Sequence, residues 1–75
     1  MKPRTEIIDG KITNSVEQLV CFLKPGDIFR KPNGREQYKF DEFKPNERLV
    51  ICENLETHAA ELIYYNSPVY KLSFL

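Results

Sequence analysis

Short apolar segments, each only a few residues long, alternate with turn signals along most of this chain. The first two segments, residues 5–8 and 11–13, flank the dipeptide Asp9-Gly10. Asp-Gly between two short β-prone segments is a strong signal for a two-residue hairpin turn. The sequence therefore predicts an amino-terminal β-hairpin.

The next segment, residues 15–23, is compatible with two structures. Its apolar side chains recur at the spacing of one helix face, and Ser15 and Gln18 have the spacing of an N-terminal capping box. Pro25-Gly26 then stops any helix. These features favour a short helix, whereas the continuous β-prone run at residues 20–23 keeps a strand open as the alternative.

Turns that contain Pro, Gly or Asn divide the remainder of the chain into short strands, spaced about 8–12 residues apart. The predicted strands are residues 28–31, 37–41, 49–52, 62–65 and 70–74. Residues 49–52 are apolar at every position, which is typical of a strand that is buried on both faces. We therefore expect this strand to be central in the sheet.

The turn before residue 28 can be predicted in more detail. Pro presets φ for position i+1 of a β-turn, and Gly tolerates the positive φ that position i+2 of a type II turn requires. Pro25-Gly26 fits these two positions. We therefore expect a type II turn with a positive φ at Gly26.

One phase slip is visible within the predicted strands. Tyr38 and Phe40 share one face of their strand, but Phe43 is out of phase with them. An extra residue in a strand restores such a phase by forming a β-bulge. The sequence predicts a bulge or a strand end near Asp41-Glu42.

The 75 residues are enough for one domain, residues 1–75, with a small core to which five Phe and four Tyr contribute most of the large side chains. The strand spacing predicts a mainly β (α+β) fold. We expect a small barrel of about five short strands, with the amino-terminal hairpin and one short helix added to it. The last strand, residues 70–75, is expected to leave an edge at which a second copy can pair as a homodimer.

Three stretches carry a resemblance to a known group of proteins. They are Lys24–Phe29 before the first predicted strand, Val50–Asn54 with its turn, and Ser67–Tyr70 before the last strand. With these stretches, the segment from Leu23 to Leu72 resembles small SH3-like barrel proteins encoded by phages and mobile elements. The resemblance implies an SH3-like barrel and a binding module rather than an enzyme, and it names no ligand.

Charge balances over the whole chain but not along it. Eleven basic side chains oppose eleven acidic ones, while residues 1–35 carry seven basic against four acidic and residues 36–75 carry four against seven. A dedicated nucleic-acid binder needs a basic face, so this balance favours a protein partner. We expect the two halves to interleave and their charges to cancel in space.

Catalytic chemistry finds little support in the residue types present. A histidine-activated nucleophile would need Cys21 or Cys52 beside His58, which is the chain's one histidine, together with an orienting carboxylate. A single histidine in a polar loop is usually solvated, and two separated cysteines cannot complete a metal site. The sequence predicts that the protein is not an enzyme and binds no metal or cofactor.

The cellular location is predicted from the amino terminus and the cysteines. Residues 1–10 carry charge without the apolar region of a secretory signal, and no apolar run approaches the roughly 20 residues of a membrane span. Cys21 and Cys52 lie in apolar runs without paired spacing, so we expect buried, reduced thiols. These features favour a cytoplasmic protein.

The first functional hypothesis is an adaptor or inhibitor that binds a host or self protein. Tyrosines are amphipathic and frequent in protein interfaces, so the candidate anchors are Tyr64, Tyr65 and Tyr70. The second hypothesis is nucleic-acid binding at a basic hairpin tip, with Arg30, Lys31, Arg35 and Tyr38 as candidates. A third is a nucleotide or signal-molecule sponge in which a tyrosine stacks on a base.

Overall fold

The computed structural model describes residues 4–8 and 10–74, which form one antiparallel sheet of seven strands that curls into a half-barrel. The predicted mainly β fold is confirmed. The strands are β1 (Arg4–Ile8), β2 (Lys11–Leu19), β3 (Ile28–Arg30), β4 (Gln37–Lys44), β5 (Leu49–Asn54), β6 (Ala60–Tyr64) and β7 (Pro68–Phe74). They are ordered β1-β2-β7-β3-β4-β5-β6 across the sheet.

The amino-terminal hairpin is confirmed. β1 and β2 pair antiparallel, and Ile8 lies opposite Lys11, so the loop between them has two residues. Gly10 has a φ of 77°, a value that favours glycine. Asp9, the other residue of the predicted turn, lies outside the described residues.

The predicted helix over residues 15–23 is wrong for most of its length. β2 continues to Leu19, and the helix is a single 3₁₀ turn, Val20–Phe22. The reason is strand pairing, because β2 pairs with β7 from Thr13 to Leu19 and this long ladder outweighs the helical spacing of the apolar side chains. The Val20 amide donates to the Ser67 carbonyl at 2.9 Å, so the 3₁₀ turn is tied to the β6–β7 connection.

Two expectations about strand positions are wrong. β7 lies between β2 and β3 and pairs with both, so it is not an edge strand and residues 70–74 offer no edge to a second copy. Leu75 lies outside the described residues. β5 pairs with β4 and β6 but is the sixth of seven strands rather than central, and β6 is the outer strand beside it.

The predicted bulge is confirmed. Phe40 lies opposite Cys52 while Glu42 lies opposite Ile51, which leaves Asp41 as the extra residue. Phe43 thereby returns to the inner face, where it packs against the core and its ring stacks on Tyr65 with 6.3 Å between centroids. The bulge therefore restores the phase that the side-chain pattern requires.

The turn at Gly26 has the predicted geometry. Gly26 has a φ of 92°, and the Asp27 amide donates to the Lys24 carbonyl at 2.9 Å, which closes the four-residue turn. The following turn is similar, since the Gly34 amide donates to the Lys31 carbonyl and Asn33 takes the positive φ of 64°. The turns thus fix where β3 begins and ends.

The core lies on the concave side of the curled sheet. Phe29 is fully buried and its ring stacks on Tyr38 with centroids 5.6 Å apart. The other buried members of this cluster are Val20, Leu23, Phe40, Val50, Cys52 and Val69. These residues come from four strands and from the segment after β2, so the core holds both halves of the chain together.

A candidate protein-binding surface on strand β6

The outer strand β6 leaves part of its backbone unpaired. Hydrogen-bonded and non-hydrogen-bonded pairs alternate along an antiparallel ladder. The Asn54 amide donates to the Ala59 carbonyl at 2.9 Å, and the Tyr65 amide donates to the Arg48 carbonyl at 3.0 Å. The odd-numbered residues of β6 therefore face β5, and the amides and carbonyls of Ala60 and Leu62 point away from it.

The solvent side of β5 and β6 carries large apolar side chains. Leu62 is 62% exposed and Tyr64 is 70% exposed. In the register of the sheet they lie opposite Ile51 and Leu49 of β5, which are half-buried and share this face. We call these four residues the β5–β6 apolar surface. An exposed apolar cluster of this kind marks an interaction site more often than a single exposed side chain does.

A groove of about 480 Å³ follows the free edge of β6. One wall consists of Leu62, Ile63 and Tyr64, and the opposite wall consists of Lys31, Pro32, Ser67, Pro68 and Val69. Both prolines are exposed. The groove and the β5–β6 apolar surface share Leu62 and Tyr64, so they form one continuous site.

An ion pair joins the two walls at one end of the groove. Lys31 Nζ lies 3.6 Å from Glu61 Oε1, and both side chains are partly exposed. Partial burial opposes the charge of Lys31, but the neighbouring Tyr38 and Glu61 outweigh it and raise the pKa of Lys31 above its ordinary value. Lys31 is therefore a fixed positive charge at the groove.

Asn54 organises the loop beside this ion pair. Its side-chain amide donates to Glu36 Oε2 at 2.8 Å and to Glu61 Oε2 at 3.2 Å. Its oxygen accepts the amides of Glu56 and Thr57, which closes the β5–β6 loop. Since Asn54 is buried, this network holds Glu61 and thereby the end of the groove in place.

The three tyrosines predicted as anchors do not come together. Tyr64 is exposed and lines the groove. Tyr65 is half-buried and stacks on Phe43, and Tyr70 is half-buried on β7 beneath the guanidinium of Arg30, 4.9 Å from the ring centroid. Of the three, only Tyr64 belongs to the site.

The residues predicted to bind nucleic acid do not form one binding surface either. Tyr38 is only 5% exposed, with Phe29 against its ring and the Lys31 ammonium 4.7 Å from its centroid, so the ring offers no stacking face to a base. Arg30 lies over Tyr70, and Arg35 lines a separate polar cavity with Glu36 and Glu56. The basic tip therefore lacks the aromatic platform that the hypothesis required.

The cysteines and the histidine are likewise apart. Cys52 is fully buried, its Sγ lies 3.6 Å from the Glu61 carbonyl, and burial raises its pKa to about 11. His58 is exposed and its Nδ1 contacts Glu53 Oε2 at 3.1 Å; this bond, with Lys39, holds the pKa of Glu53 below its ordinary value. Cys21 is half-buried, and both thiols are unpaired.

Sequence reasoning missed most of the site. It singled out Tyr64 and Lys31, but not Leu62, the two prolines or Asn54. A signal was present in β5, whose Leu49 and Ile51 are apolar on the face opposite Val50 and Cys52. The same pattern also predicts a strand buried on both faces, whereas in the structure the face with Leu49 and Ile51 is partly open to solvent.

Comparison with known proteins gives no further lead: no protein-family model matches this chain, and neither do curated proteins or solved structures.

Within residues 4–8 and 10–74, no three His, Cys, Asp or Glu side chains converge as they do in a metal site. No helix among these same residues has the length and apolar character to cross a membrane.

Proposed function

We propose that this protein is a small binding module that acts as an adaptor or inhibitor by holding a partner protein against β6. The exposure of Leu62 and Tyr64 on a strand whose outer edge is unpaired is the observation that supports this most directly. The role matches the resemblance to small SH3-like barrels of phages and mobile elements. The two unpaired cysteines favour a reducing compartment, which in this proposal is the cytoplasm.

The energetics of the surface support binding. Covering a large apolar side chain contributes about 1.5–3 kcal/mol, and Tyr adds a hydroxyl that can bond at the rim of an interface. Leu62 and Tyr64 lie two residues apart on one strand face, so one partner surface can cover both. A few such anchors supply most of the affinity in protein complexes.

The test compares two variants in partner capture from a host lysate. The double variant Leu62→Ser/Tyr64→Ser removes the anchors, and Ile7→Ser removes an equally exposed apolar side chain on β1, the strand at the other end of the sheet. We expect the parent and Ile7→Ser to retain the same stoichiometric partner and the double variant to lose it. All three chains should show the same circular dichroism spectrum, because the replaced side chains are exposed.

Two results would contradict the proposal. One is a partner that the double variant retains as well as the parent does. The other is a parent chain that retains no stoichiometric protein from the host lysate.

A further inference from the structure

We propose that the groove beside β6 holds one extended segment of the partner protein, which joins the sheet as an eighth strand paired to β6. This inference rests on the proposed function and specifies how the partner binds. It follows from the backbone of β6, the shape of the groove and the charge of its lining.

The backbone of β6 presents the hydrogen-bonding pattern of an incomplete ladder. The amides and carbonyls of Ala60 and Leu62 point away from β5, and no backbone–backbone hydrogen bond among the described residues includes them. An added strand forms hydrogen bonds with the amides and carbonyls of every second residue of the edge strand. In this mode of peptide recognition, these main-chain hydrogen bonds provide the affinity. A globular surface that covered only the side chains would leave these buried groups unpaired, at a cost.

The lining of the groove favours a single added strand as its occupant. Pro32 and Pro68 stand on the wall opposite the β6 edge, and proline has no amide hydrogen to extend a ladder. The occupant therefore pairs with β6 on one side and packs against the prolines on the other. A single extended segment meets both requirements, whereas the sheet edge of a second folded copy would place its neighbouring strand against prolines that offer it no amide hydrogen.

The charge of the lining indicates the chemistry of that segment. Lys31 is the only charged residue among the eight that line the groove. Its ammonium has three donors, and the side chain is 41% exposed. One donor is directed to Glu61 and another to Tyr38, so the third can donate to a carboxylate of the partner. The expected segment is β-branched and apolar at alternate positions, with an acidic residue at the Lys31 end.

Hydrogen exchange followed by NMR tests this pairing directly. The probe is an acetylated peptide of six alternating Val and Thr residues followed by two Glu residues, and its matched control carries N-methyl groups at every second amide. On addition of millimolar probe, we expect the Ala60 and Leu62 amides to exchange at least about tenfold more slowly. The Glu61 and Ile63 amides, which already face β5, should be unchanged, and the N-methylated peptide should protect neither set.

The outcomes separate this inference from the proposed function. If the partner captured from lysate, or the probe, perturbs the Leu62 and Tyr64 side chains but leaves the Ala60 and Leu62 amides exchanging freely, strand addition is wrong and protein binding stands. Equal binding by the N-methylated peptide overturns strand addition as well. Equal binding by a peptide ending in two Lys residues overturns the assignment of an acidic segment. If neither partner nor peptide binds, both proposals fail.

Discussion

Five of the described residues have a positive φ, and each lies in a turn or loop between strands. Gly10, Gly26 and Asn33 are residue types that tolerate this conformation, so the sequence indicated their turns. Arg48 and His58 carry no comparable turn signal, although His adopts this conformation more often than Arg does. The left-handed conformation costs an L-residue about 1–2 kcal/mol. Their conformations follow from loop closure, such as the 2.7 Å bond from the His58 amide to the Asn54 carbonyl, and could not be predicted from residue type.

Gly26→Ala is expected to lower the free energy of unfolding by about 1–2 kcal/mol, because a φ of 92° is unfavourable for alanine. A Cβ at Gly26 would meet no atom within 4 Å, so the whole effect is backbone strain. Gly34→Ala is the matched control, since Gly34 lacks a positive φ and its Cβ would make ordinary contacts. Equal denaturant midpoints for the two variants would contradict this assignment.

Cys52 is expected to remain unlabelled by thiol reagents in the folded protein, whereas the half-buried Cys21 reacts. The pKa of Cys52 is raised from 9.0 to about 11. As the pH rises, the Cys52 thiol therefore loses its proton in the unfolded chain before it does so in the folded protein. The contribution of Cys52 to stability is complete below about pH 9 and declines as the pH rises toward 11. Denaturant melts at about pH 8 and 10 should show a smaller alkaline loss for Cys52→Val than for the parent.

At the scale of elements, local turn chemistry and side-chain alternation were sufficient to place most strands. The hairpin, the bulge and the strands from β3 to β7 follow from residues that act on their immediate neighbours. Residues 15–19 could not be placed from such local signals, because their side-chain pattern fits both a helix and a strand. Only pairing with β7 decides between the two structures. The candidate site could not be predicted from local signals either, since the exposure of Leu62 depends on the position of β6 at the end of the sheet.

Deleting Asp41 should be tolerated better than deleting Lys39. Without Asp41, Phe40 and Phe43 still point to the inner face, so the chain loses only the bulge and its local curvature. Without Lys39, the residues on one side of the deletion move to the wrong face. We expect cooperative unfolding with reduced stability for the first variant and no cooperative transition for the second, as measured by circular dichroism during thermal denaturation.

At the scale of the whole molecule, strand order is the property that the sequence did not reveal. β7 is inserted between β2 and β3, so it connects the amino-terminal hairpin to the meander β3–β6. Among the described residues, the ion pair of Lys31 with Glu61 joins a basic side chain of residues 1–35 to an acidic one of residues 36–75, and Lys71 with Asp27 also connects the two halves. These pairs are partly exposed and contribute little to stability, so the sheet is held mainly by its shared core.

Removal of β7 should therefore be far more damaging than removal of β1. A chain without residues 68–75 loses Val69 and Leu72 from the interior, and β2 and β3 each lose the strand with which they pair. A chain without residues 1–8 loses one outer strand. We expect a cooperative denaturant transition for the second truncation only, and a folded chain lacking residues 68–75 would refute the central role of β7.

The placement of β7 also sets an order of events during protein synthesis. β2 leaves the ribosome early, but the strand that covers its second edge is among the last parts of the described chain to be made. The meander β3–β6 has only short connections and can assemble first. During this time, the edge of β2 that pairs with β7 in the finished fold remains unpaired. Completion of the fold is then a late, long-range step, and until β7 arrives the nascent chain exposes a nine-residue strand to any other open edge nearby.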